Sequence, residues 1–349
     1  MYEFGFELRV CRWAEREWSP ESDGSVIVSR QLGTRSRRWD TIVLEVDPDA
    51  LSQRQRFGRK RLDSDLLHVV RNAPEEWAYY REALPDPGYP WRYVRETIHE
   101  AGNRGILDTR KRNNKIEIRR RFEYPDWLTR TIAIENKPDL DASATRALAD
   151  QLERDVAFGL ADEVWVATQA TDQRVEPALL EDLPVEVGIL VFDPDNGATI
   201  RWHPRRLAAD EPGTRITERP LKSEYDRSAA RFEYVSPEGK ADTRLALAER
   251  AYERGWRSYI DTMRPDCRYF EGRIDSGALV PYCGAKCREQ TAAECSGSCP
   301  EFAPEPPAWR TKGWPIEGGP GKGIRNLLER RRKRVRSRAM ETTPRGSRR

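Results

Sequence analysis

The stretch Thr131–Lys137, TIAIENK, decides the fold, because it reads as a buried apolar strand that ends in charged residues. Side chains alternate along a strand, so Glu135 and Lys137 are expected to leave the same face. The chain has 61 Lys and Arg residues, of which only ten are lysines. Since Lys supplies a compact point charge that Arg does not, Lys137 suggests a role beside a phosphate or a water. The simpler alternative is an ion pair at a strand end.

This strand belongs to an alternating series of strands and helices. Strands are predicted at residues 25–32, 39–46, 132–137, 163–169, 187–192 and 199–203. Helices are predicted at residues 3–18, 143–159, 176–183 and 243–257. Apolar, β-branched strands separated by helices are typical of a sheet that helices cover. We therefore predict an α/β fold with a mixed central sheet flanked by helices, a charged insertion and a C-terminal cysteine-rich module.

Residues 50–125 interrupt the series with a highly charged segment that shows little alternation. A helix is predicted at 91–101, and a basic hairpin at 105–121 with Asn113 and Asn114 at its tip. A helix followed by a basic hairpin is the order found at the end of a winged helix, and an unremarkable insertion is the alternative. The hairpin residues expected to contact nucleic acid are Arg110, Lys111, Arg112 and Lys115.

These patterns divide the chain into six segments. The first and second parts of the core are residues 1–49 and 126–207, separated by the insertion at 50–125. A linker is predicted at 208–242, followed by a helix and cysteine-rich module at 243–305, and by a Pro/Gly-rich segment with a basic tail at 306–349.

Charge is spread unevenly over the 349 residues. The net charge is +3, but Gly321–Arg349 holds twelve Lys or Arg and two Glu. A basic tail on a mildly acidic body suggests contact with a polyanion, and a solvated helix end is the alternative. The tail residues proposed to contact DNA are Arg331, Arg332 and Lys333.

No apolar run approaches the roughly 20 residues of a membrane span. The start of the chain, MYEFGFE, is acidic and lacks the basic region of a signal peptide. We therefore expect a cytoplasmic protein without a membrane partner.

Five of the six cysteines fall between Cys267 and Cys299. In a cytoplasmic protein such clustering favours a metal over disulfides. Four thiolates can enclose one Zn²⁺ in a closed structural site, and an iron–sulfur cluster or unligated thiols are the alternatives. The predicted ligands are Cys283, Cys287, Cys295 and Cys299, with Cys267 able to replace one of them.

The remaining residues favour carboxylate chemistry. None of the three histidines has a Ser or Cys in a triad-like context, and no G-x-S-x-G elbow or phosphate-binding loop is present, which argues against acyl transfer. Asp40 opens one predicted strand and Glu135 ends another. If these strands pair, the two carboxylates share one Mg²⁺ or Mn²⁺, and Lys137 positions the water or stabilises the developing charge.

This order of elements and motifs resembles the PD-(D/E)XK, or restriction-endonuclease-like, nuclease superfamily over residues 1–49 and 126–205. The resemblance implies a restriction-endonuclease-like core that hydrolyses DNA. It implies that Asp40 is the acidic ligand, that Glu135 and Lys137 are the (D/E)XK pair and that Gln151 is the helix glutamine of RecB-type members. Glu7, or alternatively Glu15, matches the glutamate of the first helix.

Two features depart from the superfamily pattern. A literal Pro125-Asp126 precedes Glu135, so Asp126 is the alternative acidic partner. We favour Asp40, which opens an alternating strand after a basic turn, although the core must then accept the 50–125 insertion.

Some RecB-type nucleases hold a cluster with one early and three late cysteines, which makes Cys11 the early ligand. The simpler alternative for Cys11 is a small buried side chain.

The whole chain also resembles an uncharacterised haloarchaeal protein family, which supplies no activity. The function expected from the sequence is therefore a Mg²⁺-dependent nuclease that acts on DNA. The main alternative is a non-catalytic DNA-binding protein that keeps a degenerate nuclease fold and a zinc module. An unrelated α/β protein with structural zinc is the third possibility.

Overall fold

A computed structural model of the chain describes residues 3–18, 25–170, 182–193, 197–218, 231–262, 267–275, 278–291, 294–295 and 299–303. The predicted α/β class is confirmed, since a mixed sheet lies at the centre and helices flank it. The described helices are α1 (Glu3–Glu17), α2 (Pro48–Arg54), α3 (Ser64–Asn72), α4 (Tyr80–Ala83), α5 (Trp91–Asn103), α6 (Ala142–Phe158) and α7 (Pro237–Arg254).

Three sheets and one two-stranded ribbon make up the β structure of these residues. The described strands are β1 (Ser25–Gly33), β2 (Arg38–Val46), β3 (Ala78–Tyr79), β4 (Leu107–Arg112), β5 (Lys115–Arg120), β6 (Leu128–Asn136), β7 (Glu163–Gln169), β8 (Gly188–Asp193), β9 (Gly197–Trp202), β10 (Gly213–Glu218), β11 (Arg231–Val235), β12 (Phe270–Asp275), β13 (Ala278–Cys283) and β14 (Arg288–Glu289).

The central sheet has six strands in the order β1-β2-β6-β7-β8-β9. The pairs β6–β7 and β7–β8 are parallel, and the other three pairs are antiparallel. Alternation places Ile132 in the core on the side of α1 and Ala133 in the core on the side of α6. Because the inner strands β6, β7 and β8 are largely buried on both faces, they read as short apolar runs.

Helix α6 starts and stops where its sequence provides caps. Asp141 accepts a hydrogen bond from the backbone N–H of Ala144, and Gly159 ends the helix with a left-handed φ of 55°. The helix therefore begins just after the carboxyl end of β6 and lays Leu148 and Leu152 on the sheet.

The insertion has its own core. Its strands form an antiparallel sheet in the order β3-β5-β4, and Leu66, Ile98 and Ile118 pack in a separate apolar cluster. Asn113 and Asn114 have φ values of 47° and 60°, as a tight hairpin turn requires. The predicted hairpin and its tip are confirmed.

A buried ion pair joins the insertion to α7. Arg54 and Glu249 are both fully buried, and Arg54 Nε donates to Glu249 Oε1 at 2.5 Å. The same carboxylate accepts hydrogen bonds from Tyr124 Oη at 2.8 Å and from the backbone N–H of Leu62 at 2.7 Å. These bonds satisfy both charges in a site without water access.

The predicted linker at 208–242 is wrong in part. Strands β10 and β11 pair within it, and α7 begins at Pro237 rather than at residue 243. Ser236 caps this helix and Pro237 occupies its first turn, a start signal that the polar composition hid. The helix predicted at 176–183 lies mainly outside the described residues, and so does the basic tail.

The cysteine-rich module contains the antiparallel sheet β12-β13-β14. Its apolar side chains Phe270, Leu279 and Val280 pack in the same cluster as Phe4 of α1. A Cβ at Gly5 would overlap the carboxylate of Glu289 in β14, so α1 and this sheet are in direct contact at this position.

Candidate functional site

Two acidic residues from distant parts of the sequence meet across adjacent strands. Strands β2 and β6 pair antiparallel with Thr41 opposite Ile134, and the next step along both strands sets Asp40 opposite Glu135. Asp40 Oδ2 also accepts a hydrogen bond from the backbone N–H of Asn136 at 3.0 Å. The Asp40 carboxylate is thereby held at the carboxyl end of β6.

A third carboxylate comes from α1 through a bridging glutamine. Gln31 Nε2 donates to Glu7 Oε1 at 2.9 Å and to Asp40 Oδ1 at 2.8 Å. Arg30 Nη1 donates to the other Glu7 oxygen at 3.0 Å. Gln31 has a φ of 50°, a left-handed conformation that costs a non-glycine residue about 1 kcal/mol or more. Strained residues of this kind cluster at functional sites.

Arg37 joins Glu135 to a further buried acid, Asp155 of α6. Its Nη2 donates to Glu135 Oε1 at 2.5 Å and to Asp155 Oδ2 at 2.7 Å, and its Nε also donates to Asp155. Trp39 Nε1 donates to Asp155 at 3.0 Å. The turn that carries Arg37 closes tightly, and a Cβ at Gly33 would overlap the Arg37 carbonyl.

Burial and mutual repulsion disfavour the ionised forms of these acids. Burial, followed by the Asp40 carboxylate, raises the pKa of Glu135 to about 8, and Arg37 opposes the shift. Burial raises the pKa of Glu7 to about 7, although Arg30 opposes it. Burial also raises the pKa of Asp155 despite its bonds to Arg37. The buried acids therefore resist ionisation unless another cation joins them.

Lys137 lies one residue past β6 and close to the acids. Its Nζ donates to Glu3 Oε1 at 2.7 Å. Burial lowers the pKa of Lys137, but Glu3, Asp40 and Glu135 outweigh burial, and the net shift is upward. Lys137 therefore stays protonated and acts as a cation.

The structure places the remaining predicted residues of this site in different surroundings. Gln151 lies one helical turn before Asp155 on the same face of α6. Asp126 is exposed and lies nine residues before Glu135, about 30 Å away along an extended chain. The structure therefore favours Asp40 over Asp126 as the acidic partner of Glu135. Glu15 binds Arg257 and Trp256, which removes it as a match for the first-helix glutamate.

Sequence reasoning missed Gln31, Arg37 and Asp155. Arg37 contacts Glu135 and Asp155, which lie 98 and 118 positions away in the sequence, so no local sequence pattern indicates those contacts. The basic turn between β1 and β2 was visible in the sequence, but the partner of each arginine was not.

Oxygen donors of this kind suit Mg²⁺ or Mn²⁺. Within the described residues, no three His, Cys, Asp or Glu side chains are arranged to hold an ion as they stand. Glu7 is turned to Arg30 and Glu135 to Arg37. The donor set fits a hard cation, and binding requires these carboxylates to turn away from their arginines.

The late cysteines divide differently from the prediction. One cavity is lined by four of them, Cys267, Cys283, Cys295 and Cys299. Cys287 is exposed, and its Sγ donates to the Gly284 carbonyl at 3.4 Å. The turn after β13 directs Cys287 outward, so it does not line this cavity. Cys11 is buried against Thr41 at 3.3 Å and does not line the cavity.

The basic hairpin is partly neutralised by its own neighbours. Arg110 pairs with Glu117 at 2.6 Å, and Lys115 pairs with Glu82 at 3.4 Å. Lys111 and Arg112 are exposed beside the tip. Three residues predicted to contact DNA, Arg331, Arg332 and Lys333, lie outside the described part of the chain.

Comparison with known proteins gives a family without an assigned activity. Residues 27–304 match the family described as "Family of unknown function (DUF5787)". The chain belongs to this family. The matched region contains Asp40, Glu135, the insertion and the late cysteines, whereas Glu7 lies before it. No solved structure matches the chain.

Two curated proteins share a more limited similarity with this DUF5787 member. They are ATP synthase subunit delta from Anaeromyxobacter sp. (strain K) and ATP synthase subunit delta from Anaeromyxobacter dehalogenans (strain 2CP-C). Each is 30% identical over 144 residues, which is 39% of this chain and 79% of the relative.

Along the described part of the chain, no helix combines the length and the apolar character needed to cross a membrane.

Proposed function

We propose that this DUF5787 member is a Mg²⁺- or Mn²⁺-dependent nuclease that hydrolyses DNA at Asp40, Glu135 and Lys137 in a restriction-endonuclease-like core. The observation that carries the proposal is the opposition of Asp40 and Glu135 on the antiparallel strands β2 and β6. Lys137 lies in the electrostatic field of both. Two acids and an amine at the end of one strand pair are what a metal-dependent attack on a phosphodiester needs.

The residues divide the chemical work. A divalent cation, when bound, would supply a water of lowered pKa and neutralise phosphate charge. Asp40 and Glu135 would provide its oxygen ligands. Lys137, which stays protonated, donates to a phosphate oxygen and stabilises the charge that develops there. Glu7, with a pKa raised to about 7 by burial, is suited to accept a proton near neutral pH.

Cleavage of plasmid and single-stranded DNA during a Mg²⁺ and Mn²⁺ titration tests this function. Asp40→Asn, Glu135→Gln and Lys137→Met are each expected to reduce the cleavage rate by about 100-fold or more, while DNA binding persists. Asp126→Asn is the matched control, because Asp126 is exposed and far from Glu135. The proposal fails if the wild-type chain shows no metal-dependent cleavage, or if Asp126→Asn impairs cleavage as much as Asp40→Asn.

A second function, DNA binding without cleavage, is favoured by the insertion. Its order is α3, β3, α4, α5, β4 and β5, with a sheet ordered β3-β5-β4 and α5 leading into the basic hairpin. We infer a winged-helix-like unit whose hairpin contacts phosphates. Salt-sensitive binding with no cleavage under any metal condition would support this function over the first.

A further inference from the structure

We propose that Cys267, Cys283, Cys295 and Cys299 bind one zinc ion that secures the cysteine-rich module against α1. Zinc binding at this site does not depend on whether the chain cleaves DNA. The four cysteines come from three segments of the module: Cys267 lies three residues before β12, Cys283 ends β13, and Cys295 and Cys299 follow β14. They converge on one cavity, so a single ion would link every part of the module.

Backbone bonds already bring these segments together. The N–H of Arg268 donates to the Ala303 carbonyl at 2.8 Å, which places the chain beside Cys267 next to the chain beside Cys299. The N–H of Cys295 donates to the Thr291 carbonyl at 3.1 Å within its own segment. Main-chain bonds therefore hold the segments that carry Cys267 and Cys299 side by side.

The size of the cavity favours a single ion. Its volume is about 20 Å³, and one water needs roughly 10–15 Å³. A single Zn²⁺ suits such a space. The four sulfurs line the cavity without enclosing an ion in their present rotamers, so binding draws the side chains inward.

The chemistry of the lining also suits a thiophilic ion. Four thiols line one cavity, and a metal ion deprotonates the thiols that it binds. Four thiolates give zinc a closed tetrahedral site without an open position, which is the structural type.

Cys287 is excluded although its spacing fits. It lies in the turn between β13 and β14 with a φ of 53°, and its side chain is exposed. The ligand set thus differs from the one that spacing alone favours, since Cys267 replaces Cys287. Cys267→Ser and Cys287→Ser therefore make the same chemical change and are expected to have opposite effects on zinc binding.

The ion would act on α1 through the module. Sheet β12-β13-β14 is small, and modules of this size seldom hold together by apolar burial alone. Its side chains Phe270 and Leu279 pack with Phe4 of α1, and Tyr259 Oη donates to the Leu279 carbonyl at 2.8 Å. Helix α1 also carries Glu7, so loss of the ion would loosen the helix that delivers this carboxylate.

Metal analysis of the full-length chain tests the site without any measurement of cleavage. The reduced wild-type chain and Cys287→Ser are expected to retain one zinc per chain after dialysis. Cys267→Ser is expected to retain less than half as much. Equal zinc loss in Cys287→Ser and Cys267→Ser, failure of the wild-type chain to bind added zinc, or the visible absorbance of an iron–sulfur cluster would each overturn the proposal.

Thiol labelling of the native chain covers the case in which Cys267→Ser does not fold. With zinc bound, one thiol is expected to react rapidly, and Cys287→Ser is expected to abolish that reaction. Chelation is expected to expose four more thiols, while Cys11 stays buried. Rapid labelling of all five late cysteines in the presence of zinc would contradict a closed site.

Discussion

Replacing Glu135 by glutamine should change how stability depends on pH. The folded chain keeps the Glu135 proton up to a pKa of about 8, against an ordinary value of 4.5, chiefly because of burial. Between these two values the unfolded chain is ionised at this residue and the folded chain is protonated. The folded state binds more protons there, so its stability falls as pH rises through the window. Glutamine stays neutral throughout and removes this loss.

The size of the effect follows from the shift in pKa. Each unit corresponds to about 1.36 kcal/mol, and the interval from 4.5 to about 8 gives at most about 5 kcal/mol. Glu135 is only 4% exposed, so solvent screens little of this energy. Relative to the wild-type chain, Glu135→Gln should therefore gain stability steadily from pH 5 to pH 8. Added Mg²⁺ should restore wild-type stability at pH 8 but leave Glu135→Gln unchanged.

Urea unfolding at several pH values measures this difference. Each curve gives a free energy of unfolding by linear extrapolation, and the comparison of interest is wild type minus Glu135→Gln at each pH. Glu76→Gln is the matched control, because Glu76 is exposed. Parallel pH profiles for the wild-type chain and Glu135→Gln would refute the assigned burial and repulsion. A Mg²⁺ effect of equal size in both would refute a metal-ligand role for Glu135.

Two further predictions concern the insertion. Glu249→Ala leaves the fully buried Arg54 guanidinium without its carboxylate, so the free energy of unfolding should fall by about 3–5 kcal/mol. Urea unfolding measures this loss. The control is a double variant with apolar residues at both positions, which should recover stability. Lys111→Glu and Arg112→Glu should each lower the slope of log DNA affinity against log salt concentration by about 0.9 in magnitude. Fluorescence anisotropy over a series of salt concentrations measures this slope. An equal effect of Arg110→Glu, whose partner is Glu117, would contradict the prediction.

The sheet could be predicted from sequence because its signals are local. Apolar runs bounded by turns mark β2 and β6, and a capping aspartate and a glycine mark the ends of α6. Once those two strands are paired with the apolar residues in register, Asp40 must stand opposite Glu135. The proximity of these two acids is thus a consequence of hydrophobic patterning.

The surroundings of these acids could not be predicted in this way. Gln31 adopts a positive φ that β propensity does not anticipate, and Asp155 reaches Arg37 across 118 residues. The cysteines show the same limit. The spacing of Cys283 and Cys287 in the sequence is compatible with a shared metal ion. The direction of the turn at Gly284 decides which of the two sulfurs lines the cavity.

The ion pairs around β6 show which basic side chain can change its partner. Hydrogen bonds and ion pairs link five carboxylates and three basic side chains there, and Arg154 and Arg254 act on Asp155 and Glu7 from nearby. The acids are Glu3, Glu7, Asp40, Glu135 and Asp155, and the bases are Arg30, Arg37 and Lys137.

These three bases are not held equally. Arg37 is fixed by two buried acids, and Arg30 by the buried Glu7. The partner of Lys137 is Glu3, whose side chain is 61% exposed, and exposed ion pairs contribute at most about 1 kcal/mol. In the proposed mechanism a DNA phosphate would therefore take Lys137 from Glu3 at little cost, whereas it would not take either arginine without stranding a buried carboxylate. Lys137 is thus the base among these three that the proposed reaction can recruit.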